Sequence, residues 1–239
     1  MQKTAGITLQ RMLRSRYGPH LLQRTKNLIQ EKLNSSPDPV SLKKRLSSIT
    51  MQDQYFMGHF CYGIHKFLPY PYTYITFLRE PISRLLSLYR YSKLNSSAYY
   101  HGLARNASPK EFFFESNLME LDNGMLRFIL GNPPDYGDLF INRTPVGKCN
   151  EDMLKQAKQN IENEFSFVGI VEKFDESVLL LKKQLNWKNP YYLRRNTYKN
   201  TNQNQPLTSS SWDFSDLMIE KLKEKINMIW LFINLLIIN

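Results

Sequence analysis

YTYITFLREPISRLLSLYRYSK, Tyr72 to Lys93, is the stretch whose reading decides the fold. Tyr72 to Leu78 is rich in aromatic and β-branched residues, which suit a pleated, half-buried backbone, and it reads as a strand. Arg79-Glu80-Pro81 interrupts it. Pro81 fits a first helical position, because its ring fixes φ and its missing N–H is one the helix leaves unpaired anyway. Leu85, Leu86 and Leu88 then supply an apolar stripe, so Ile82 to Lys93 reads as a helix. Strand, tight turn and helix form the unit from which α/β domains are assembled.

The flanking sequence repeats that unit. Tyr55 to Phe60 has strand composition, bounded by Gly58 and the Pro69/Pro71 pair. Ser108-Pro109-Lys110-Glu111 has the spacing of a capping box, so a helix is expected there with Phe112, Phe113 and Leu118 turned inward. Gly131-Asn132-Pro133-Pro134 ends that region with turn chemistry. Asn150 can cap a helix through Met153, Leu154, Ala157 and Ile161; SFVGIV (166–171) follows as a buried strand and DESVLLLKKQL (175–185) as a helix. Toward the N-terminus, Ile7 to Asn34 reads as helical segments bent at Gly18-Pro19, followed by a loop at Ser35 to Pro39. Strands alternating with helices imply a mainly parallel sheet covered on both faces.

A chain of 239 residues, 42% hydrophobic, can bury one sizeable core, and a single domain is expected. The net charge of +11 creates a positive field that attracts anions. The basic residues are scattered and never reach a run of five, which disfavours a basic nucleic-acid-binding tail. Two cysteines, Cys61 and Cys149, exclude a disulfide-stapled module and carry no metal-ligand spacing. MQKTAGITL at the start lacks the basic and apolar regions of a leader, so a cytoplasmic protein is expected. On that expectation the Asn-x-Ser/Thr triplets at Asn34, Asn95, Asn106 and Asn142 carry no meaning. The apolar stretch from Met228 to Ile238 falls short of the roughly 20 residues that cross a bilayer, and no transmembrane span is expected.

Lys3-Thr4-Ala5-Gly6-Ile7-Thr8 stands just before the first helical segment. There Gly6 permits close backbone approach, while amides, hydroxyls and the Lys3 ammonium can hold an anion at a helix N-terminus. The full Walker pattern is absent, which disfavours ordinary nucleoside triphosphate hydrolysis. Arg79 leaves the C-terminal end of a strand, the edge where doubly wound sheets bind nucleotides, and Ser87 shares a helix side with Ser83 and Arg84. A permanently charged fork and a hydroxyl suit a phosphate. The alternative is an Arg79 paired to Glu80 or another carboxylate and a Ser87 that merely faces solvent.

The stretch Gly58 to Tyr91, with its T-x-L-R-E-P-x-x-R-x-x-S-x-Y core, resembles the sulfotransferases that include the heparan-sulfate 2-O- and 6-O-sulfotransferases and many bacterial relatives. Asn123-Gly124-Met125-Leu126-Arg127 and VGIVEKFDESVLLLKKQL (168–185) extend the resemblance, which spans roughly Lys3 to Asn200. It implies a P-loop-like, doubly wound α/β fold and sulfuryl transfer from 3′-phosphoadenosine 5′-phosphosulfate (PAPS) to a hydroxyl, with a carbohydrate acceptor. By the same resemblance Lys3, Thr4, Ala5, Gly6, Ile7 and Thr8 form the loop at the 5′-phosphosulfate, Arg79 and Ser87 bind the 3′-phosphate, and the Arg194-Arg195-Asn196-Thr197 cluster corresponds to a late nucleotide-contacting loop.

Sulfuryl transfer needs a base for the acceptor hydroxyl, in-line positioning and positive charge on the leaving oxygen; that logic requires no metal. His59 matches the Gly-His segment of the resemblance and is the candidate base, with His65 second; Lys3 is the candidate for the leaving oxygen. The rival readings are a P-loop phosphotransferase, which needs Mg²⁺ and a metal-holding acid, and an inactive relative or basic nucleic-acid-binding module. Only Met1 and Gln2 precede Lys3, where such a loop follows a buried strand, so the first strand is expected to be missing. Residues 1–227 are therefore read as the sulfotransferase domain and 228–239 as an aberrant apolar tail.

Overall fold

The computed structural model describes residues 3–17, 58–67, 71–133, 141–187, 214–230 and 233. Among them two strands, β1 (Tyr74–Leu78) and β2 (Phe165–Ile170), lie side by side and parallel. Tyr74 pairs with Phe165, but Ile75 pairs with Phe167, so Ser166 is an extra residue in β2. The bulge has a clear effect on side-chain direction. Beyond it Phe167 faces one side of the sheet while Val168 and Ile170 face the other; before it Phe165 joins the Val168 side.

Helices cover both faces. Helix α1 (Gly6–Tyr17) contributes Leu9, Met12 and Leu13 to a core that also holds Phe77, Phe167 and Trp187. On the opposite face Leu78 and Ile170 meet α2 (Pro81–Leu94), α3 (Gly124–Leu130) and α4 (Glu151–Glu164). Helix α5 (Phe174–Gln184) follows β2 and sends Phe174, Val178 and Leu181 into the α1 side. Phe77 and Leu78 therefore seed different cores because successive side chains of a strand point to opposite faces. The parallel α/β arrangement agrees with the expectation from sequence. Gly169 is required where it stands: a Cβ there would come within 2.5 Å of the Phe77 ring across the strand pair.

The capping signals are realised. Asn150 Oδ1 accepts from the Met153 N–H (3.0 Å) at the start of α4. Ser108 and Glu111 form the reciprocal box, with Glu111 Oε2 accepting from the Ser108 N–H (2.7 Å) and Ser108 Oγ from the Glu111 N–H (3.3 Å). The turn that follows, Glu111–Glu115, is π-helical, and it buries Phe112 and Phe113 side by side.

Two expectations fail. The described part of Tyr55–Phe60, residues 58–60, is a bend and not a strand. Tyr62 immediately after is held by its N–H to the Phe128 carbonyl at 2.8 Å, outside any strand ladder. The apolar stretch from Met228 is not detached either: helix α6 (Asp216–Lys225) leads into Ile226, Ile229 and Ile233, each at most 2% exposed against the α2 side of the sheet. Their three- and four-residue spacing is that of a helix face, a signal outweighed in the sequence by the uniform apolarity around it. The expected helical segments at 21–34 and the loop at Ser35–Pro39 lie outside the described residues.

Candidate functional site

Because β1 and β2 are parallel, both end at the same edge, and Arg79 and Glu172 emerge there together. The loop before α1 comes to that edge. Lys3 and Ala5 both have positive φ, 63° and 56°, a left-handed conformation uncommon for non-glycine residues. The Ala5 carbonyl then accepts from the N–H groups of Thr8 (3.1 Å) and Leu9 (3.2 Å), which starts the helix. Thr4 and Thr8 are buried, Ala5 packs beside the α1 core, Gly6 is the first residue of α1, and Ile7 is exposed.

Arg79 Nη1 donates to the Lys3 carbonyl at 3.3 Å, so two segments 76 residues apart in sequence meet at one point. Burial pushes the Lys3 ammonium below its usual range, and the Arg79 charge pushes it further. Burial likewise lowers Arg79, against the opposing pull of Glu172 and Glu80, while Arg84 and Arg90 add repulsion. Arg79 Nε is buried without a hydrogen bond; the nearest carboxylate oxygen, of Glu172, is 3.9 Å away. Two half-buried cations held together with an unused donor form a site that an anion would complete.

Three residues that the motif reading left without a role organise this corner. Glu80 caps α2, its carboxylate accepting from the N–H groups of Ile82 (2.8 Å) and Ser83 (2.7 Å). The α2 N-terminus thus has its own anion, and an external phosphate must rely on the side chains. Glu172, just after β2, accepts from the Glu80 N–H at 3.2 Å and so ties the Arg79-Glu80 turn to the second strand. The Tyr91 ring lies under Lys3, with Nζ 4.3 Å from its centroid. Ser87 is one turn before Tyr91 on the same face of α2, which sets it on the side that Lys3 approaches. Glu172 and Tyr91 both lie inside the quoted motifs, but a carboxylate and a ring beside a cation site gave no signal of their own.

The two histidines separate. His59 stands exposed in the bend at residues 58–59. His65 sits at the other end of β1 from Arg79. Tyr74 Oη accepts from the N–H groups of Gly63 and His65, each at 3.2 Å, and lies 2.9 Å from His65 Nδ1. With both acceptor positions used, the phenol donates its proton to Nδ1, which fixes the neutral tautomer protonated on Nε2. The imidazole also stacks on Tyr72, with centroids 4.2 Å apart, and Tyr72 Oη donates to Glu164 at 2.7 Å. Burial holds His65 below its usual pKa.

Arg84, expected on the side of Ser87, is turned inward instead. It is buried and donates to Glu120 Oε1 (3.1 Å) and to the Glu120 carbonyl (2.8 Å). Arg127 is also buried and pairs with Asp122, while its remaining donors meet the carbonyls of Asp122, Asn142, Thr144 and Pro145. Gly124 belongs to the same construction, since a Cβ there would stand 2.7 Å from Arg84 Nη2. The Arg194 to Thr197 cluster lies outside the described residues.

The profile of the galactose-3-O-sulfotransferase family matches residues 42–206, well over half of the chain. Human galactose-3-O-sulfotransferase 2 is similar, at 27% identity over 127 residues that make up 52% of this chain and 30% of that protein. The chain thus spans about a third of the curated relative's length. No solved structure matches significantly. These findings overturn the cytoplasmic expectation, because galactose-3-O-sulfotransferase homologues are Golgi membrane-anchored enzymes. The first residues of the sequence were too weak a sign to assign a compartment. Among the described residues no helix is long and apolar enough to cross a membrane. Of the Asn-x-Ser/Thr triplets, Asn142 is buried with its amide donating to the Gly131 carbonyl, whereas Asn106 is exposed. A carbohydrate sulfotransferase resemblance carried by Gly58 to Tyr91, and a profile match that encloses all of that stretch, lead to one conclusion: the chain belongs to the galactose-3-O-sulfotransferase family.

Proposed function

We propose that this chain transfers a sulfuryl group from PAPS to a carbohydrate hydroxyl, on a P-loop-like, doubly wound α/β fold. The observation that carries the reading is the meeting of Lys3 and Arg79 at the carboxyl edge of a parallel strand pair. That is the edge where such sheets bind nucleotides, and two mutually repelling cations there fit a polyanionic donor. The family name directs attention to galactose as the acceptor sugar.

In this reading Lys3, Thr4, Ala5, Gly6, Ile7 and Thr8 wrap the 5′-phosphosulfate, and Arg79 and Ser87 hold the 3′-phosphate. Positive φ at Lys3 and Ala5 supports this reading, since left-handed residues in a loop before a helix are the kind of backbone that can turn successive amides toward an anion. The acceptor oxygen attacks sulfur as the bond from sulfur to the phosphate oxygen breaks, and adenosine 3′,5′-bisphosphate leaves. His59 takes the acceptor proton, and Lys3 neutralises the charge that grows on the leaving oxygen. The chain's contribution to rate is positioning and charge. Tyr91 and Glu172 support this by holding Lys3 and Arg79.

The test is a transfer assay with PAPS and oligosaccharides ending in galactose, scored by the mass gain of one sulfuryl group. Sulfation of galactose-terminated chains and none of the same chains lacking galactose is the expected result. Transfer from ATP in the presence of Mg²⁺, with none from PAPS, would sink the proposal in favour of phosphoryl transfer.

A further inference from the structure

Arg90 lies on α2, three residues beyond Ser87 and next to Tyr91, and the motif gave it no role. Its guanidinium stands over the Phe214 ring, 5.8 Å from the centroid, and its Nε is buried with no hydrogen-bond partner. A guanidinium near a ring keeps its charge, and its fork of N–H donors is the group that grips a phosphate in two places. The contrast within the same helix is informative. Arg84 has donors engaged by Glu120, whereas Arg90 has no ion pair with a carboxylate among the described residues and is near enough to repel Arg79. Buried guanidinium donors without acceptors are costly unless a ligand supplies them.

We propose that Arg90 is a further donor-binding residue, contacting the 3′-phosphate together with Arg79 and Ser87. The inference rests on the donor reading above and extends it. Ser87 and Arg90 are three residues apart on one side of α2, and Arg79 stands just before its N-cap Glu80, near enough to Arg90 for mutual repulsion, so the three can address one phosphate. Arg90 thereby makes the 3′-phosphate a requirement for tight binding and discriminates the donor from nucleotides that lack it.

The test compares adenosine 3′,5′-bisphosphate with adenosine 5′-monophosphate by calorimetry on the full chain and on Arg90→Gln and Arg90→Lys. The wild type should prefer the bisphosphate. Arg90→Gln should weaken bisphosphate binding by about tenfold to a hundredfold while leaving the monophosphate nearly unchanged, the expected size for a lost charge-assisted contact. Arg90→Lys should recover part of the loss, since a point charge replaces a fork. An unchanged bisphosphate affinity in Arg90→Gln overturns the proposal, and so does an equal loss for both nucleotides, which would mean a general field or a structural role. A wild type with no preference for the bisphosphate overturns the donor reading itself, and with it this one. Circular dichroism and the melting temperature of Arg90→Gln, expected to match wild type, separate misfolding from lost contact; a poorly folded Arg90→Gln leaves Arg90→Lys to decide by the same two titrations.

Discussion

Arg84 and Arg127 on one side, and Arg79 and Arg90 on the other, show how differently one residue type can be used within a single fold. The first two are buried beside Glu120 and Asp122 and spend their donors on carboxylates and carbonyls. The second two are half-buried, repel one another, and each keeps a buried Nε without an acceptor. A paired buried arginine fixes packing, because removing either partner strands a charge. On the proposed reading, an arginine with unmet donors is there for an anion. Position in a motif did not separate the two uses: Arg79 and Arg84 belong to the same T-x-L-R-E-P-x-x-R core.

The sharpest way to break this comparison is to measure stability and binding on both sets. Arg127→Ala should destabilise the fold by about 3–5 kcal/mol in a denaturant titration, since Asp122 would be left buried and uncompensated. Arg79→Ala should melt close to wild type. If the Arg79 variant loses as much stability as the Arg127 variant, the division between structural and ligand-binding arginines fails. Ile233→Ala comes next, at about 2–5 kcal/mol for a truncated core residue; no loss would mean that its burial does not matter to the fold. Gly124→Ala should cost about 1–3 kcal/mol by pressing a methyl group against the Arg84 guanidinium, and it should leave nucleotide affinity alone.

The smallest effect is one of pH, at the far end of β1. Burial lowers the His65 pKa below its ordinary 6.5, and Lys66 lowers it further against the opposing pull of Glu164. Between the lowered value and 6.5 the unfolded chain binds the proton more readily, so stability rises with pH through this window and falls as pH drops through it. The buried setting includes Tyr74, whose Oη lies 2.9 Å from His65 Nδ1. His65→Gln should flatten the slope between pH 5 and 7 in a melting series. A slope that persists in the variant would assign the titration to another group.

Much of the fold was legible in local signals. The strand at Tyr74–Leu78, Pro81 at the start of α2, the Asn150 cap and the Ser108/Glu111 box depend on neighbours in sequence, and all appear in the structure. What the sequence hid depends on partners far along the chain. Tyr62, just past the expected strand, is secured by Phe128, and Ile229 and Ile233, in the stretch read as an aberrant tail, enter a core assembled from elements about 100 residues earlier. The site shows the same division. Motif chemistry singled out Lys3, Arg79 and Ser87 as candidates, while Tyr91 under Lys3, Glu172 behind the Arg79 turn and the Arg90 Nε without a hydrogen bond emerge only when the segments meet. The cytoplasmic expectation rested on the first few residues, which say little beside a family match across 42–206.

For the chemical step, His59→Ala should cut turnover by about 10²–10⁴-fold with bisphosphate affinity unchanged, the share of a positioned acid–base group. Near-normal turnover would move the base elsewhere.

The most direct measurement is a calorimetric titration of adenosine 3′,5′-bisphosphate into wild type and Arg79→Ala at fixed pH and salt. The cation pair at Lys3 and Arg79 predicts saturable binding to the wild type and a loss of about 1.5–3 kcal/mol in the variant, the value of a hydrogen bond to a charged group. Equal affinity in the two proteins would contradict the assignment of this edge of the sheet as the donor site.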